Sequence, residues 1–352
     1  MNIAERDRSQ GAAERLTEPW MLGPLLVPNR VMLAPLAGIG NWFVRLQAKR
    51  YGAGMAVSEM VSSHAIHYRN EKTCNEMLRI DPRERDGGPV SIQLFGDDPQ
   101  IMRDAAARVA AIGADAIDIN MGCPVPKVQK AGAGAALLDD PDRAVALARA
   151  AVEGSREGTS AGLPVTVKLR SGLRPGDSSG FHLAHRLVEE AGVAAIAFHP
   201  RSASVQHRGV PDYELARRLV RSLRAPVILT GGLSDAQAVR DAFSHTGAAA
   251  VMLARGSLGN PWLFSELLHG REEPPTAAEV LSELDWTIDR AVEHLGLPRA
   301  TRYLRKFYPW YLARLDLEPS RARRIGASLQ SVATLAEARS ALAEAPLYCC
   351  AR

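Results

Sequence analysis

Cys123 stands in IDINMGCPVPKVQKAGAGAAL, between Gly122 and Pro124 and shortly ahead of Lys127 and Lys130. A lone cysteine is most often a small buried hydrophobe. One held in a Gly-Pro turn with two lysines following reads instead as exposed and reactive, because a turn gives access and nearby positive charge favours the thiolate. Two kinds of chemistry suit such a thiol, nucleophilic attack and proton donation. The GAGA stretch after it is not a Walker-type phosphate loop, since no G-K-[ST] follows.

Other polar residues stand at the ends of otherwise apolar runs: Glu59, Gln93, Asn120, Lys168, Arg170, His199 and Arg201, then Gly231, Gly232, Arg255 and Gly256. A polar group in an apolar strand needs a partner, and a bound cofactor would supply one. Glycines let backbone N–H groups approach an anion, Arg255 adds charge, and SLGNPWLF opens a helix whose N-terminus favours a phosphate. Lys168, Gln93 and His199 point to a flavin as the owner of that phosphate. A flavin needs donors to its ring carbonyls and a positive group near N1, which Lys168 can be. Lys168 also suits a Schiff-base nucleophile, and neighbouring Arg170 lowers its pKa under either reading.

These side chains need a scaffold that brings strand ends together. Eight short apolar runs recur, at 31–35, 55–60, 89–95, 116–121, 164–170, 194–200, 225–232 and 249–256. Near-continuous apolar runs are what parallel strands covered on both faces require. The stretches between them carry helical patterns such as PQIMRDAAARVAAIG, with Ile101, Ala105, Val109 and Ile112 on one face and Gly113 as a stop. The spacing predicts an α/β fold, a closed (β/α)8 TIM barrel with its active site at the C-terminal strand ends. An open sheet is the alternative if one run is not a strand.

After Gly270 the prolines of REEPPTAAEV end the β-branched pattern, and only helical periodicity follows. The expected organisation is an N-terminal arm over 1–20, a catalytic barrel over 21–270 and a C-terminal all-α helical domain over 275–345. The whole chain has 43 Lys and Arg against 39 Asp and Glu, a net charge of +4. Residues 299–324 alone hold eight basic residues against Asp316 and Glu318, so this segment outweighs the chain's surplus. Tyr303, Phe307, Tyr308, Trp310 and Tyr311 interleave with the charges. That composition suits phosphate contact with base stacking, or a helical bundle with an aromatic core and a solvated basic face.

With 46% hydrophobic and 23% charged residues, the composition excludes collagen-like, mostly disordered and disulfide-dense classes. Four cysteines, Cys349 and Cys350 among them in the tail, form no C-x-x-C pair, so neither a disulfide framework nor a zinc site is expected. The charged N-terminus is unlike a signal peptide, and no apolar run reaches the ~18 residues of a membrane span. A cytoplasmic protein without a membrane partner or a metal is expected.

Taken in order, LAPLAGIGNWFVR, YGAGMAVSEMVSS, SIQLFGDDP, IDINMGCPVPKVQKAGAGAALL, VTVKLRSG, HPRS, GGL, ARGSLGNPWLF and RYLRKFYPWYL resemble the flavin-dependent tRNA-dihydrouridine synthases. The resemblance runs over roughly residues 31 to 315 and is most specific at N-x-G-C-P followed by G-A-G-A. It implies an FMN-carrying barrel with a helical domain that helps hold tRNA, NADPH as the reductant, and reduction of a uridine C5=C6 bond. By motif position it implies Cys123 as the acid that protonates C5. The same resemblance offers Pro35, Leu36, Gln93, Lys168, His199, Gly231, Gly232, Arg255 and Gly256 for the cofactor. Asn120, Arg170, Arg201, Arg302, Arg305 and Lys306 are offered for substrate or tRNA, and a monomer is expected. The competing expectation is an FMN barrel reductase of a small molecule, of dihydroorotate or enone type, which leaves the arginine-rich segment idle. The chain departs from the family pattern at Pro200, Ala203, Val205, His207, Thr230, Phe307 and Pro309, mostly on the side where RNA would be met.

Overall fold

The computed structural model describes residues 11–159, 162–271 and 273–343; the two tail cysteines and the first ten residues lie outside them. Among the described residues eight parallel strands close into a barrel: β1 (Val31–Leu33), β2 (Met55–Ser62), β3 (Val90–Phe95), β4 (Ala116–Met121), β5 (Val165–Arg170), β6 (Ala195–His199), β7 (Val227–Thr230) and β8 (Ala250–Leu253). Closure is made by β8 on β1, with Val251 opposite Val31 and Leu253 opposite Leu33. Each strand falls within or beside one of the apolar runs, and β4, β6, β7 and β8 are buried along their whole length. Burial on both faces is why these strands read as continuous apolar runs rather than alternating ones.

The helices between strands start where short polar side chains can cap them. Asp98 caps α2 (Pro99–Ala111) after α1 (Trp42–Arg50), and Asp140 caps α3 (Pro141–Gly158). In both, proline opens the helix where its missing N–H costs nothing. Asp212 and Asp235 cap α5 (Tyr213–Ser222) and α6 (Ala236–Thr246), which follow α4 (Ser179–Ala191).

The apolar periodicity assigns no structure to the approach to the first strand. Trp20–Leu22 and Leu25–Val27 form an antiparallel hairpin there, and Trp20, Leu22 and Val27 pack with Met32, Met55, Ala116, Ala195 and Ala250 in one buried cluster. Those barrel residues stand first or second in their strands, so the hairpin stoppers the end opposite the site. Trp20 Nε1 donates to the Asn29 carbonyl at 3.1 Å, which satisfies its one polar atom.

The chain divides into two compact units after Arg255. The second is helical throughout its described residues: α7 (Trp262–His269), α8 (Ala277–Leu295), α9 (Leu297–Leu304), α10 (Tyr308–Leu312), α11 (Pro319–Ser331) and α12 (Leu335–Ala343). A Thr276–Glu279 capping box starts α8. The composition change after Gly270 therefore lies inside the second unit, between α7 and α8. Phe307, Tyr308 and Tyr311 are core residues there, and Thr287 Oγ1 meets Tyr311 Oη at 3.1 Å. No helix among the described residues is long and apolar enough to cross a membrane.

Candidate active site

Cys123 follows β4 directly, and its loop is held at several points. Asn120, the inward residue near the end of β4, accepts the backbone N–H groups of Gly122 (3.2 Å) and Cys123 (2.9 Å) on Oδ1. The Cys123 carbonyl accepts the Ala135 N–H at 3.0 Å. Gly134 lets that turn close down: at φ +63° a Cβ there would sit 2.8 Å from the Cys123 carbonyl oxygen. The GAGA stretch is thus a close-packed support for the cysteine loop. Cys123 itself is half-buried.

Arg170, at the end of β5, ties this loop to another. Its Nε donates to the Gly122 carbonyl at 2.9 Å, and Nη1 donates to the carbonyls of Ser202 (3.1 Å) and Gln206 (2.7 Å). Arg201 is engaged in the same manner, with Nε and Nη2 on the Gly209 carbonyl and Nη1 3.3 Å from His199 Nε2. Both arginines are buried, and their donors go to the protein's own backbone and to His199. Through these bonds Arg170 and Arg201 clamp the loop that follows β6.

Inside the barrel below the cysteine loop, Gln93 Oε1 accepts Asn120 Nδ2 at 2.9 Å and Gln93 Nε2 donates to Asp118 Oδ2 at 2.6 Å. Thr166 Oγ1 donates to the other Asp118 oxygen. A bulge in β2 between Val57 and Met60 brings Ser58 Oγ to the Gln93 N–H at 3.0 Å, replacing a ladder bond that the bulge removes. Strand-end position alone does not single out Asp118, Thr166 or Ser58. The signal for Asp118 is an acid between Ile117 and Ile119, in phase with Asn120 on the inner face.

Charge accumulates at this mouth. Burial and the charge of Arg170 push Lys168 down to about 8, while Asp118 and Cys123 oppose them. Burial, then Arg201 and Arg255, push Arg170 down to about 10. Burial, followed by Lys168, Arg170 and Arg201, holds His199 well below the usual histidine range, so the ring is neutral. Since Arg201 only donates, the neutral His199 accepts at Nε2 and carries its proton on Nδ1. His207 stacks on His199 with ring centres 6.1 Å apart, and burial with Arg255 pushes it down to about 4. Burial pushes Asp118 up to about 6, against the hydrogen bonds from Thr166 and Gln93.

Gly231 and Gly232 both have positive φ, +95° and +80°, and their Cβ positions are occupied by the protein itself. A Cβ at Gly231 would lie 2.3 Å from His199 Cδ2, and one at Gly232 2.4 Å from Tyr213 Oη. Tyr213 Oη also donates to the Gly231 carbonyl at 3.0 Å. Thr230 donates from Oγ1 to the Met252 carbonyl at 3.0 Å. Arg255 is exposed and opens the turn Arg255–Ser257, in which Gly256 follows it. Pro35 is half-buried and Leu36 buried just past β1, where the Leu36 carbonyl accepts the Gly40 N–H at 2.7 Å. In the second unit Arg302 and Lys306 are exposed, with Lys306 Nζ 5.0 Å from the centre of the Tyr303 ring. Arg305 Nη2 donates to the Val332 carbonyl at 3.0 Å, holding the end of α9 to the end of α11.

The mouth thus fits an anionic ring cofactor. Lys168, Arg170, Arg201 and Arg255 repel one another, a cost that a phosphate or an anionic ring would relieve. Comparison with known proteins turns this fit into a relationship. The family model for dihydrouridine synthase matches residues 32–345. The chain belongs to the dihydrouridine synthase family. It is similar to tRNA-dihydrouridine synthase B of Vibrio vulnificus, 34% identical over 83% of this chain and 88% of that one. The protein of the same name from Yersinia pestis is 35% identical over 83% and 89%. Among solved structures, morphinone reductase in complex with tetrahydroNAD superposes with a TM-score of 0.55 over 74% of this chain and 92% of that one, at 15% identity. A Rhizobium histamine dehydrogenase gives 0.57 at 16% identity over 74% of this chain, which spans 48% of that protein. At such identities these two structures speak for the barrel alone.

Proposed function

We propose that the protein is a tRNA-dihydrouridine synthase that reduces the C5=C6 bond of uridine in tRNA, with FMN as cofactor and NADPH as electron donor. The observation that carries this reading is a half-buried cysteine held beside Lys168 and Arg170 at the barrel mouth, in a chain of this family. FMN, when bound, supplies a hydride drawn from NADPH to one carbon of the uracil double bond.

The residues of this chain do the rest. Lys168 and His199 would hold the ring, Gln93 would offer it an amide edge, and Arg255 with the backbone at Gly231 and Gly232 would hold the phosphate. Pro35 and Leu36 wall the cofactor. Hydride addition at C6 leaves an electron pair and negative charge spread over C5 and the adjoining carbonyl. Cys123 Sγ gives its proton to C5, the C5–H bond forms as the S–H bond breaks, and the charge passes to sulfur. Lys168 and Arg170 then face the thiolate, stabilising it by opposite charge. Asn120 keeps the cysteine loop at the mouth. The target base has to leave its stack for this, at a cost of a few kcal/mol that phosphate contacts from Arg302 and Lys306 offset. The working form is a cytoplasmic monomer.

Nucleoside analysis of tRNA from cells lacking the gene tests it: dihydrouridine should be missing at one or more positions and return with the wild-type gene. Cys123→Ala should not restore it, although the purified variant should still bind FMN and be reduced by NADPH. Full restoration by Cys123→Ala would remove the cysteine from the acid role.

A further inference from the structure

Asp118 is a buried acid to which the chemistry above gives no task. It lies at 0% exposure in the middle of β4, below the mouth. Its two oxygens are occupied, one by Thr166 Oγ1 and the other by Gln93 Nε2. From Gln93 the chain of hydrogen bonds runs outward through Asn120 to the N–H groups of Gly122 and Cys123.

The direction of that chain is dictated from its outer end. Backbone N–H groups only donate, so Asn120 has to turn its oxygen toward Cys123 and its nitrogen toward Gln93. Gln93 must meet that nitrogen with its oxygen, which sends its own NH2 group inward. The innermost member therefore has to accept, and a carboxylate accepts at both oxygens. A donor there would reverse Gln93, and Asn120 would then set NH2 against N–H at the cysteine loop.

We propose that Asp118 is a positioning residue that, through Gln93 and Asn120, anchors the Cys123 loop and sets which edge of the Gln93 amide faces the mouth. Its bearing on catalysis rests on the reading of Cys123 as the acid; the anchoring does not. A rival role is a counter-charge for Lys168, and the two make different demands. A counter-charge must be negative, whereas an anchor needs only an acceptor. Asp118→Asn removes the charge but keeps an acceptor toward Gln93, because its NH2 can turn to Thr166 Oγ1, whose hydroxyl accepts as readily as it donates. Asp118→Leu removes charge and acceptor together at similar size.

The test is the rate at which iodoacetamide alkylates Cys123, followed by peptide mass spectrometry on the full chain with and without FMN, beside kcat and KM for tRNA. Asp118→Asn should alkylate at the wild-type rate. Asp118→Leu should alkylate faster by about fivefold, the worth of one hydrogen bond, as the loop loosens. Its kcat should fall by about tenfold with KM for tRNA unchanged. Should Asp118→Leu not fold, Asp118→Ser is read in the same way, since its hydroxyl is too short to reach Gln93. The proposal is overturned if Asp118→Leu leaves alkylation unchanged, or if Asp118→Asn accelerates it as much as Asp118→Leu does. If the alkylation pattern holds but wild-type protein makes no dihydrouridine, the functional reading fails and the anchor stands.

Discussion

Lys168 holds its charge where both burial and Arg170 oppose it, and this gives the cofactor site a pH dependence. The ammonium is present below about 8 and is lost as pH rises through that value. The ammonium offers the flavin ring a charge-assisted hydrogen bond that the neutral amine cannot match, so FMN affinity for the apoprotein should be highest below about 8 and decline above it. Fluorescence titration of FMN at a series of pH values checks this. Lys168→Met should bind about tenfold to a hundredfold more weakly at neutral pH and lose the decline, in keeping with a charged hydrogen bond removed. A decline that persists in Lys168→Met would assign it to another group. His199 illustrates a different lesson at this scale. Gly231 reads in the sequence as room for an anion, and it is at least as much room for the His199 ring.

At the scale of elements, loops are held by buried charges. Arg45 on α1 and Glu84 in the turn Pro82–Gly87 are both fully buried, with Nε to Oε1 at 2.8 Å and Nη2 to Oε2 at 3.0 Å. Lys49, one turn along α1, donates to the Glu84 carbonyl at 2.7 Å, and Glu84 Oε2 accepts the Asp81 N–H. Glu84→Ala strands a guanidinium without its counter-charge and should cost about 3–5 kcal/mol in urea unfolding. The double variant Arg45→Met with Glu84→Leu should recover much of that loss, because it leaves no guanidinium without its counter-charge; equal loss in both would mean the pair matters through packing alone. Strand positions and helix starts are legible in the sequence, since apolar runs and Asp-Pro caps are local signals. The clamps are not. Arg170 binds carbonyls of residues 122, 202 and 206, and nothing in VTVKLRSG states which backbone it will reach.

Across the whole molecule, charge is distributed unevenly. A net +4 over 352 residues is small, yet residues 299–324 carry more positive charge than the chain as a whole. Arg302, Lys306, Arg314, Arg323 and Arg324 are exposed, whereas Arg305 is committed to the Val332 carbonyl. Charge reversal of Arg302 and Lys306 together should weaken tRNA binding and reduce the slope of log affinity against log salt by about two, one for each phosphate no longer neutralised. Arg305→Glu should instead lower stability. Filter binding across a salt series separates these outcomes, and an unchanged slope would take α9 out of the RNA interface.

The sequence by itself determined the barrel, its eight strands within a residue or two at most ends, the helical C-terminal unit and the family, because each of these is written in local periodicity or in contiguous motifs. Tertiary structure alone decided which polar residues face the mouth and which hold it together. Asp118, Thr166 and Gln93 meet because β3, β4 and β5 are neighbours in register, a pairing between residues up to 48 positions apart. It also decided that Phe307, Tyr308 and Tyr311 are core while Tyr303 and Trp310 stay partly open. An aromatic among arginines carries the same local pattern in either case, and only the packing of helices around it selects between burial and exposure.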